Sequence, residues 1–429
     1  MTLHRECGAE AARPHAGSDR NTNGGNGMLN QYEVEVIGRE EFAELKQVTK
    51  QFVAAEVLPE QAEWERVGAI PVALHRKAGD LGLIGAGFPE AVGGGGGGLL
   101  ATVAITEAAH EAGMSGGVYA SLFTAGIAVP HMVLAGSAEQ IEGFVRPTLA
   151  GNLIGSLAIT EPSGGSDVGH LRARAERDGD HYVISGSKTF ITSATRADFV
   201  TTAVRTGGPG GKGVSLIVVP TDTPGFGVAK KLEKMGWRAS DTAELFYDRV
   251  RVPASMLIGA EGAGFTYISH GFVSERVSLA VQAYASAQRA LDLTVQWCRD
   301  RETFGKPLIA RDTVQAKLTE MARRVDVARV YTRRVAERWD EVTAAGAATA
   351  PEGETEGLNI VSAAAFAKNT ATINGEWVNR EAVQLFGGMG FMAESEVERI
   401  YRDSPVLAIG GGTVEILTTL AGKHLGYQP

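Results

Sequence analysis

Apolar positions along this chain change their period twice. Phe42, Leu45, Val48, Phe52 and Val53 recur at three- and four-residue spacing, an amphipathic stripe that predicts a helix. Pro59 and Pro71 punctuate the next stretch, so 39–153 reads as a helical domain of several elements. From 154 to 259 the period falls to two. His181-Tyr182-Val183-Ile184-Ser185, Phe199 to Val204, Val214 to Val219 and Leu245-Phe246-Tyr247 predict strands, separated by turn signals at Asp178-Gly179-Asp180, 206–213 and 222–225. This patterning predicts a compact antiparallel β domain and fits a βαβ array poorly. From 260 to 429 the helical period returns. Val273, Val277, Ala280, Val281, Tyr284, Ala287, Leu291, Val295 and Cys298 make one long stripe, and Val314, Leu318, Met321, Val325, Ala328, Tyr331, Val335 and Trp339 another. A third helix is predicted over 359–385, after an Ala/Gly/Pro/Glu-rich mobile loop at 345–357. Antiparallel long helices of this kind make a bundle. The fold class is α+β: helical domain, β domain, helical bundle.

A length of 429 residues agrees with about three domains. The net charge of −9 comes without a basic block, which argues against a nucleic-acid partner. Arg323, Arg324, Arg329, Arg333, Arg334 and Arg338 alternate with apolar residues at helical spacing, which predicts a solvated helix face or a subunit contact. Cys7 and Cys298 are the only cysteines, so a disulfide framework is excluded and a reducing, cytoplasmic compartment is expected. No run of about 18 uninterrupted apolar residues predicts a membrane span. Residues 1–38 read as a disordered extension without a secretory h-region. The glycine run 93–98 lacks the Gly-Lys-Ser/Thr ending of a phosphate loop and reads as a flexible loop. Met114 stands where a second zinc-binding His would follow His110-Glu111, so no metal is expected.

Two stretches carry the chemistry. Thr160-Glu161-Pro162-Ser163-Gly164-Gly165-Ser166-Asp167 concentrates hydroxyls, carboxylates and glycines after an apolar run, a composition that brings backbone N–H groups close to a flat polar ligand. A Ser/Gly surface turn is the alternative on these residues alone. Far downstream stands Gln384-Leu385-Phe386-Gly387-Gly388-Met389-Gly390-Phe391, followed by Glu394, Arg399 and Asp403. Between them come Lys234-Met235-Gly236, Ser240-Asp241-Thr242, Val252-Pro253 and Arg301-Glu302-Thr303-Phe304-Gly305-Lys306. Together, and in this order, the motifs resemble the acyl-CoA dehydrogenase family of flavoproteins over residues 40–427, which implies a helical N-terminal domain, an antiparallel β-barrel-like middle domain and a C-terminal four-helix bundle. His170, where the family has a small residue, and Arg311-Asp312, where it commonly has an aromatic or His followed by Gln, are departures.

The resemblance implies an FAD enzyme that converts an acyl-CoA to its trans-2-enoyl product, passing electrons to an electron-transfer flavoprotein. It implies that Thr160, Ser166, Phe190, Ile191, Thr192, Thr413 and Glu415 contact FAD. Arg301, Thr303, Phe304, Gln384, Gly387 and Gly388 would reach the FAD of a neighbouring subunit in a homotetramer. Ser166, Arg276, Gly411 and Gly412 would bind substrate. The reaction needs a carboxylate base, which many members carry in a C-terminal Tyr-Glu-Gly-Thr segment. Here that segment is Gly410-Gly411-Gly412-Thr413. The isovaleryl-CoA and long-chain branches carry the base in a Glu-Arg pair on a C-terminal-domain helix instead, and Glu275-Arg276 matches it. Glu275 is therefore the expected catalytic base. An oxidase or monooxygenase on the same scaffold, and a catalytically inactive member, are the alternatives.

Overall fold

The computed structural model describes residues 40–344 and 358–427. The extension expected over 1–38 and the loop expected over 345–357 lie outside the described residues. The opening helical period becomes α1 (Glu40–Phe52), α2 (Gln61–Val67), α3 (Val72–Asp80), α4 (Gly98–Glu111) and α5 (Gly116–Leu122), with short helical turns onward to Leu149. α4 is apolar nearly all round and is buried from Leu99 to His110. The glycine run before it is a packed turn rather than a flexible loop. The N–H groups of Gly94, Gly95, Gly96 and Gly97 donate to the carbonyls of Pro89, Gly85, Phe88 and Ala86. The first N–H groups of α4, which no glycine side chain can cap, donate to the Asp340 carboxylate at 2.7 Å from Leu99 and 2.9 Å from Leu100.

The middle region forms a seven-stranded sheet of β1 (Gly155–Ala158), β2 (Arg174–Asp178), β3 (His181–Thr192), β4 (Phe199–Arg205), β5 (Val214–Pro220), β6 (Phe226–Lys231) and β7 (Thr242–Pro253). Its order is β1-β4-β2-β3-β7-β6, with β5 on the free edge of β4. The sheet is mixed, not wholly antiparallel as its turn signals suggest. β1 pairs parallel with β4, from Gly155 opposite Phe199 to Ala158 opposite Thr202. β1 arrives from the helical region and needs no hairpin to reach its partner, so nothing imposes the antiparallel sense. β2 and β6 escape sequence patterning because both are largely exposed. The lysines at the end of β6, on the sheet edge, suit a strand that must not recruit another.

The remaining chain forms α6 (Gly264–Asp300), α7 (Asp312–Ala344), α8 (Ile360–Phe386), α9 (Glu396–Asp403), α10 (Pro405–Ile409) and α11 (Val414–His424). α6, α7 and α8 pack on one another, and α11 lies on α8. Ala287, Ala290, Met321, Val325, Val378 and Ala382 fill the seam. By composition and length, Glu396–His424 could pass for a membrane span. It is instead divided into three helices, and α9 is fastened by Arg402 to Glu65 and by Asp403 to the Trp237 N–H at 2.6 Å.

One arginine departs from the solvated face that its periodicity suggests. Arg333 is fully buried and donates from Nε and a terminal nitrogen to Glu107, each at 2.8 Å. The Tyr284 hydroxyl donates to the same carboxylate at 2.6 Å, and Lys46 lies 2.9 Å away. α1, α4, α6 and α7 thus meet on one anion. Burial works against that charge, yet Arg333 and Lys46 hold the Glu107 pKa at about 2. Arg323 and Arg324 follow the expectation and pair with Glu320 at the surface.

Glu107→Gln should therefore lower the unfolding free energy by about 3–5 kcal/mol, because it deprives a buried guanidinium of its carboxylate. Adding Arg333→Met should recover much of the loss. Urea midpoints of the single and double variants check both. With the folded pKa depressed from 4.5 to about 2, the contribution is whole above the upper value and is lost as pH falls toward the lower.

Candidate functional site

The residues predicted from sequence fall into three groups. The first surrounds the loop after β1. Glu161 is buried at its root and accepts from the N–H groups of Arg172 at 2.7 Å and Ala173 at 2.8 Å, and from Lys188 Nζ at 2.9 Å. Lys188, also buried, donates to the Ile159 carbonyl at 2.9 Å. Burial opposes the Glu161 charge, but Lys188 and the two N–H groups hold its pKa below the ordinary range; burial lowers Lys188 to about 8. This brace holds the loop against β3, and the Thr189 N–H donates to the Thr160 carbonyl at 2.9 Å. Ser166 stands in solvent beyond it. His170, the departure from the family pattern, bonds Asp167 at 2.8 Å.

Immediately after Lys188 the β3–β7 register shifts, and Phe190 takes φ +60° with its ring 67% exposed. A bulky residue in the left-handed region is strained, and a large apolar ring in water is costly. The bulge aims Phe190 outward while Ile191 stays buried. Thr192 follows, its carbonyl accepting from Ser156 Oγ at 2.7 Å. Thr160, Phe190 and Thr192 thus belong to one braced edge, with the Phe190 ring turned outward.

The second group lies at one end of the bundle. Arg301 opens a tight hairpin of β8 (Glu302–Thr303) and β9 (Lys306–Pro307), with Phe304 at its tip, 97% exposed at φ +50°. Arg311 donates to Thr303 Oγ1 at 2.9 Å and lies 5.5 Å over the Phe304 ring. Asp312 opens α7, where a helix N-terminus suits a carboxylate. That arrangement accounts for the Arg311-Asp312 departure: one residue stiffens the hairpin and the other starts a helix. Trp297 stacks on Phe386 at 4.8 Å and so joins this hairpin to the Gln384–Gly388 turn. Gln384, Gly387 and Gly388 are exposed, and a Cβ on either glycine would meet nothing within 4 Å. Their backbone is open to a ligand.

The third group holds the chemistry. α6 presents Glu275 and Arg276 to the turn between α10 and α11. Arg276 Nε donates to the Gly411 carbonyl at 3.1 Å. Gly411 and Gly412 have φ of +65° and +102°, so the turn needs glycine. A Cβ on Gly411 would stand 3.5 Å from Glu275 Oε1 and 2.8 Å from Leu279 Cδ1. Two positions far apart in sequence thus address one point in space. Lys368 and Asn369 of α8 hold the turn from behind: Lys368 Nζ donates to Ala408 and Gly412 carbonyls at 2.7 and 2.8 Å, and Asn369 Nδ2 to Val414 at 3.0 Å. Thr413 caps α11 by accepting from the Ile416 N–H at 3.4 Å, and Glu415 is exposed in its first turn. Burial pushes the Glu275 carboxyl up to about 7, against the opposing charges of Arg276 and Lys368.

Glu161, Lys188, Lys368 and Asn369 were not legible as site residues from the motifs. Lys368 does leave a trace in sequence: it interrupts the alanine-rich face Ala363, Ala364, Ala367, Ala371, where a charge has no solvent to reach.

The family models for the N-terminal, middle and C-terminal domains of acyl-CoA dehydrogenase match residues 39–152, 156–250 and 262–426. The chain is 34% identical to the mitochondrial long-chain specific acyl-CoA dehydrogenase of Rattus norvegicus, covering 89% of this chain and 85% of that protein. It is equally 34% identical to the mitochondrial short-chain specific acyl-CoA dehydrogenase of Bos taurus, covering 89% of each. A crystal structure of a putative acyl-CoA dehydrogenase from Mycobacterium smegmatis superposes with a TM-score of 0.86 at 61% identity, over 91% of this chain and 99% of that one.

The raised Glu275 carboxyl makes a signed prediction. Its folded pKa of about 7 lies above the ordinary 4.5, so the folded protein binds the extra proton and its stability falls as pH rises through that window. Glu275→Gln removes the cost. The variant should gain on the parent by on the order of 1–3 kcal/mol between the two ends of the window, measured as the difference in urea midpoints at each pH.

Proposed function

The chain belongs to the acyl-CoA dehydrogenase family, and from that premise we propose that it oxidises the Cα–Cβ bond of an acyl-CoA thioester with Glu275 as base. It is an FAD-dependent oxidoreductase. The residues present fit that cofactor. Phe190 offers an exposed aromatic surface on a braced strand, and Gly387-Gly388 offers backbone that phosphates can approach. Thr160, Phe190 and Thr192 would hold the isoalloxazine, with the buried Ile191 backing them, Ser166 near the diphosphate and the pantetheine, and Thr413 and Glu415 completing the cofactor set. Arg301, Thr303, Phe304, Gln384, Gly387 and Gly388 would hold the dinucleotide of a neighbouring subunit, which makes the working enzyme an oligomer, a homotetramer on this reading. FAD, when bound, supplies the hydride acceptor that no side chain provides.

The observation that carries the base assignment is the convergence of Glu275 with the Gly411 position. The carboxylate takes the α-proton, and a pKa near neutrality makes it a competent base that is also partly ionised. Arg276 occupies the Gly411 carbonyl, and among the described residues the Gly411 N–H has no backbone acceptor. That N–H is free to donate to the thioester oxygen as negative charge develops on it. The electrons of the β C–H bond then leave as hydride, and the trans-2-enoyl thioester remains. Gly410 and Gly411 place no side chain on the wall of the acyl site, which favours branched or medium-to-long acyl groups over butyryl. The electron acceptor on this reading is an electron-transfer flavoprotein.

Anaerobic mixing with a panel of acyl-CoA thioesters should bleach the flavin. Glu275→Gln should keep FAD and acyl-CoA affinity and slow bleaching by about 10²–10⁴-fold or more. Near-parental bleaching in that variant would remove Glu275 from the mechanism. Glu275→Gly combined with Gly411→Glu should restore only part of the rate, with a shift to shorter chains, because a side chain at φ +65° is strained and Leu279 must give way to its Cβ. Arg301→Ala should lose FAD on dialysis while keeping its helical content, and a stable monomer with full FAD would overturn the shared site.

A further inference from the structure

We propose that Lys368 of α8 is a positioning residue for this reaction, fixing both the shape of the Gly410–Gly412 turn and the charge felt by Glu275. The inference rests on the reading of Glu275 as base. Lys368 has no exposed surface, and its ammonium is spent on two carbonyls, Ala408 at 2.7 Å and Gly412 at 2.8 Å. These flank Gly410 and Gly411, so one nitrogen staples both ends of the turn. Arg276 takes the carbonyl between them, that of Gly411. With its carbonyls at Ala408, Gly411 and Gly412 drawn onto cations, the turn is held in one orientation, and the Gly411 position keeps its place beside Glu275.

An ammonium buried in an alanine-rich seam, with carbonyl dipoles rather than a bonded carboxylate as partners, is an expensive way to hold a turn. Asn369, one residue on, holds Val414 without a charge. What the charge adds is electrostatic. Among the described residues, the charges that act on Glu275 and Lys368 are each other, Arg276 on α6 and Glu415 on α11, and His424 of α11 faces Arg276. Burial raises Glu275, and Arg276 and Lys368 pull it back. Without Lys368 the base would stay protonated to higher pH. Burial in turn lowers Lys368 to about 8, so the staple loses its proton in mildly alkaline solution.

The test is the pH profile of kcat/KM in the holoenzyme, with a saturated acyl-CoA that bleaches the parent. Lys368→Met and Lys368→Gln should move the ascending limb upward by about half to one pH unit. Gln keeps an N–H donor for the carbonyls, so a shift in both variants reports the charge rather than the staple. A lysine with only a structural role would lower the rate at every pH and leave the midpoint in place, and that outcome in both variants overturns the inference. Lys368→Arg serves if neither variant retains FAD. Its charge persists, so the ascending limb should stay within about a few tenths of a unit of the parent's. An ascending limb that moves in Lys368→Arg as far as expected of the other two variants overturns the inference as well. The base assignment fails separately, through undiminished bleaching in Glu275→Gln.

Discussion

The buried carboxylate of Glu107 is the constraint on which the helical scaffold depends. It is taken from water and offered to Arg333, Tyr284 and Lys46, which arrive on three different helices. Hydrophobic contact alone would let those helices slide, since alanine and leucine surfaces accept several registers. A bidentate guanidinium–carboxylate pair accepts one geometry. It fixes α6 and α7 against α4, and α6 carries Glu275 upstream of Tyr284 on the same rigid element. Asp340 repeats the device further along α7 by capping the start of α4.

From that scaffold the functional region is built by charges that face inward. Glu161 and Lys188 hold the loop after β1 to the bulged strand, which lets Phe190 stand in solvent in a conformation that a free chain would abandon. Lys368 and Arg276 do the same for the glycine turn. In each case ionised side chains, whose cost the surrounding packing bears, hold the backbone in one shape.

The motifs made the family legible, because each is a short stretch whose residue types are needed where they stand. Thr160 to Asp167 and Arg301 to Gly305 form a loop and a hairpin that are exposed but for a few residues such as buried Glu161, and Gln384 to Gly388 spans the end of α8 and the glycines after it. The long stripes from Val273 and from Val314 became α6 and α7, since a three-to-four period over many residues leaves no alternative. β2 and β6 were invisible, for they lack a buried alternating face. Arg333 was misread for a related reason. Periodicity sorts residues into faces but does not say which face another helix will cover.

What the sequence by itself determined is thus the order of α, β and α regions, the family chemistry, and Glu275 as the candidate base, all written in local patterns of residue type. The parallel pairing of β1 with β4, the packed glycine run before α4 and the burial of Arg333 were decided only by tertiary structure. So was the meeting of Glu275 with Gly411, which lie 136 residues apart in number, yet a Cβ on Gly411 would stand 3.5 Å from Glu275 Oε1. Burial, not composition, then set the Glu275 carboxyl near neutrality. Desolvation and charge pairing depend on what surrounds a group in three dimensions, and a linear pattern holds no record of that surrounding.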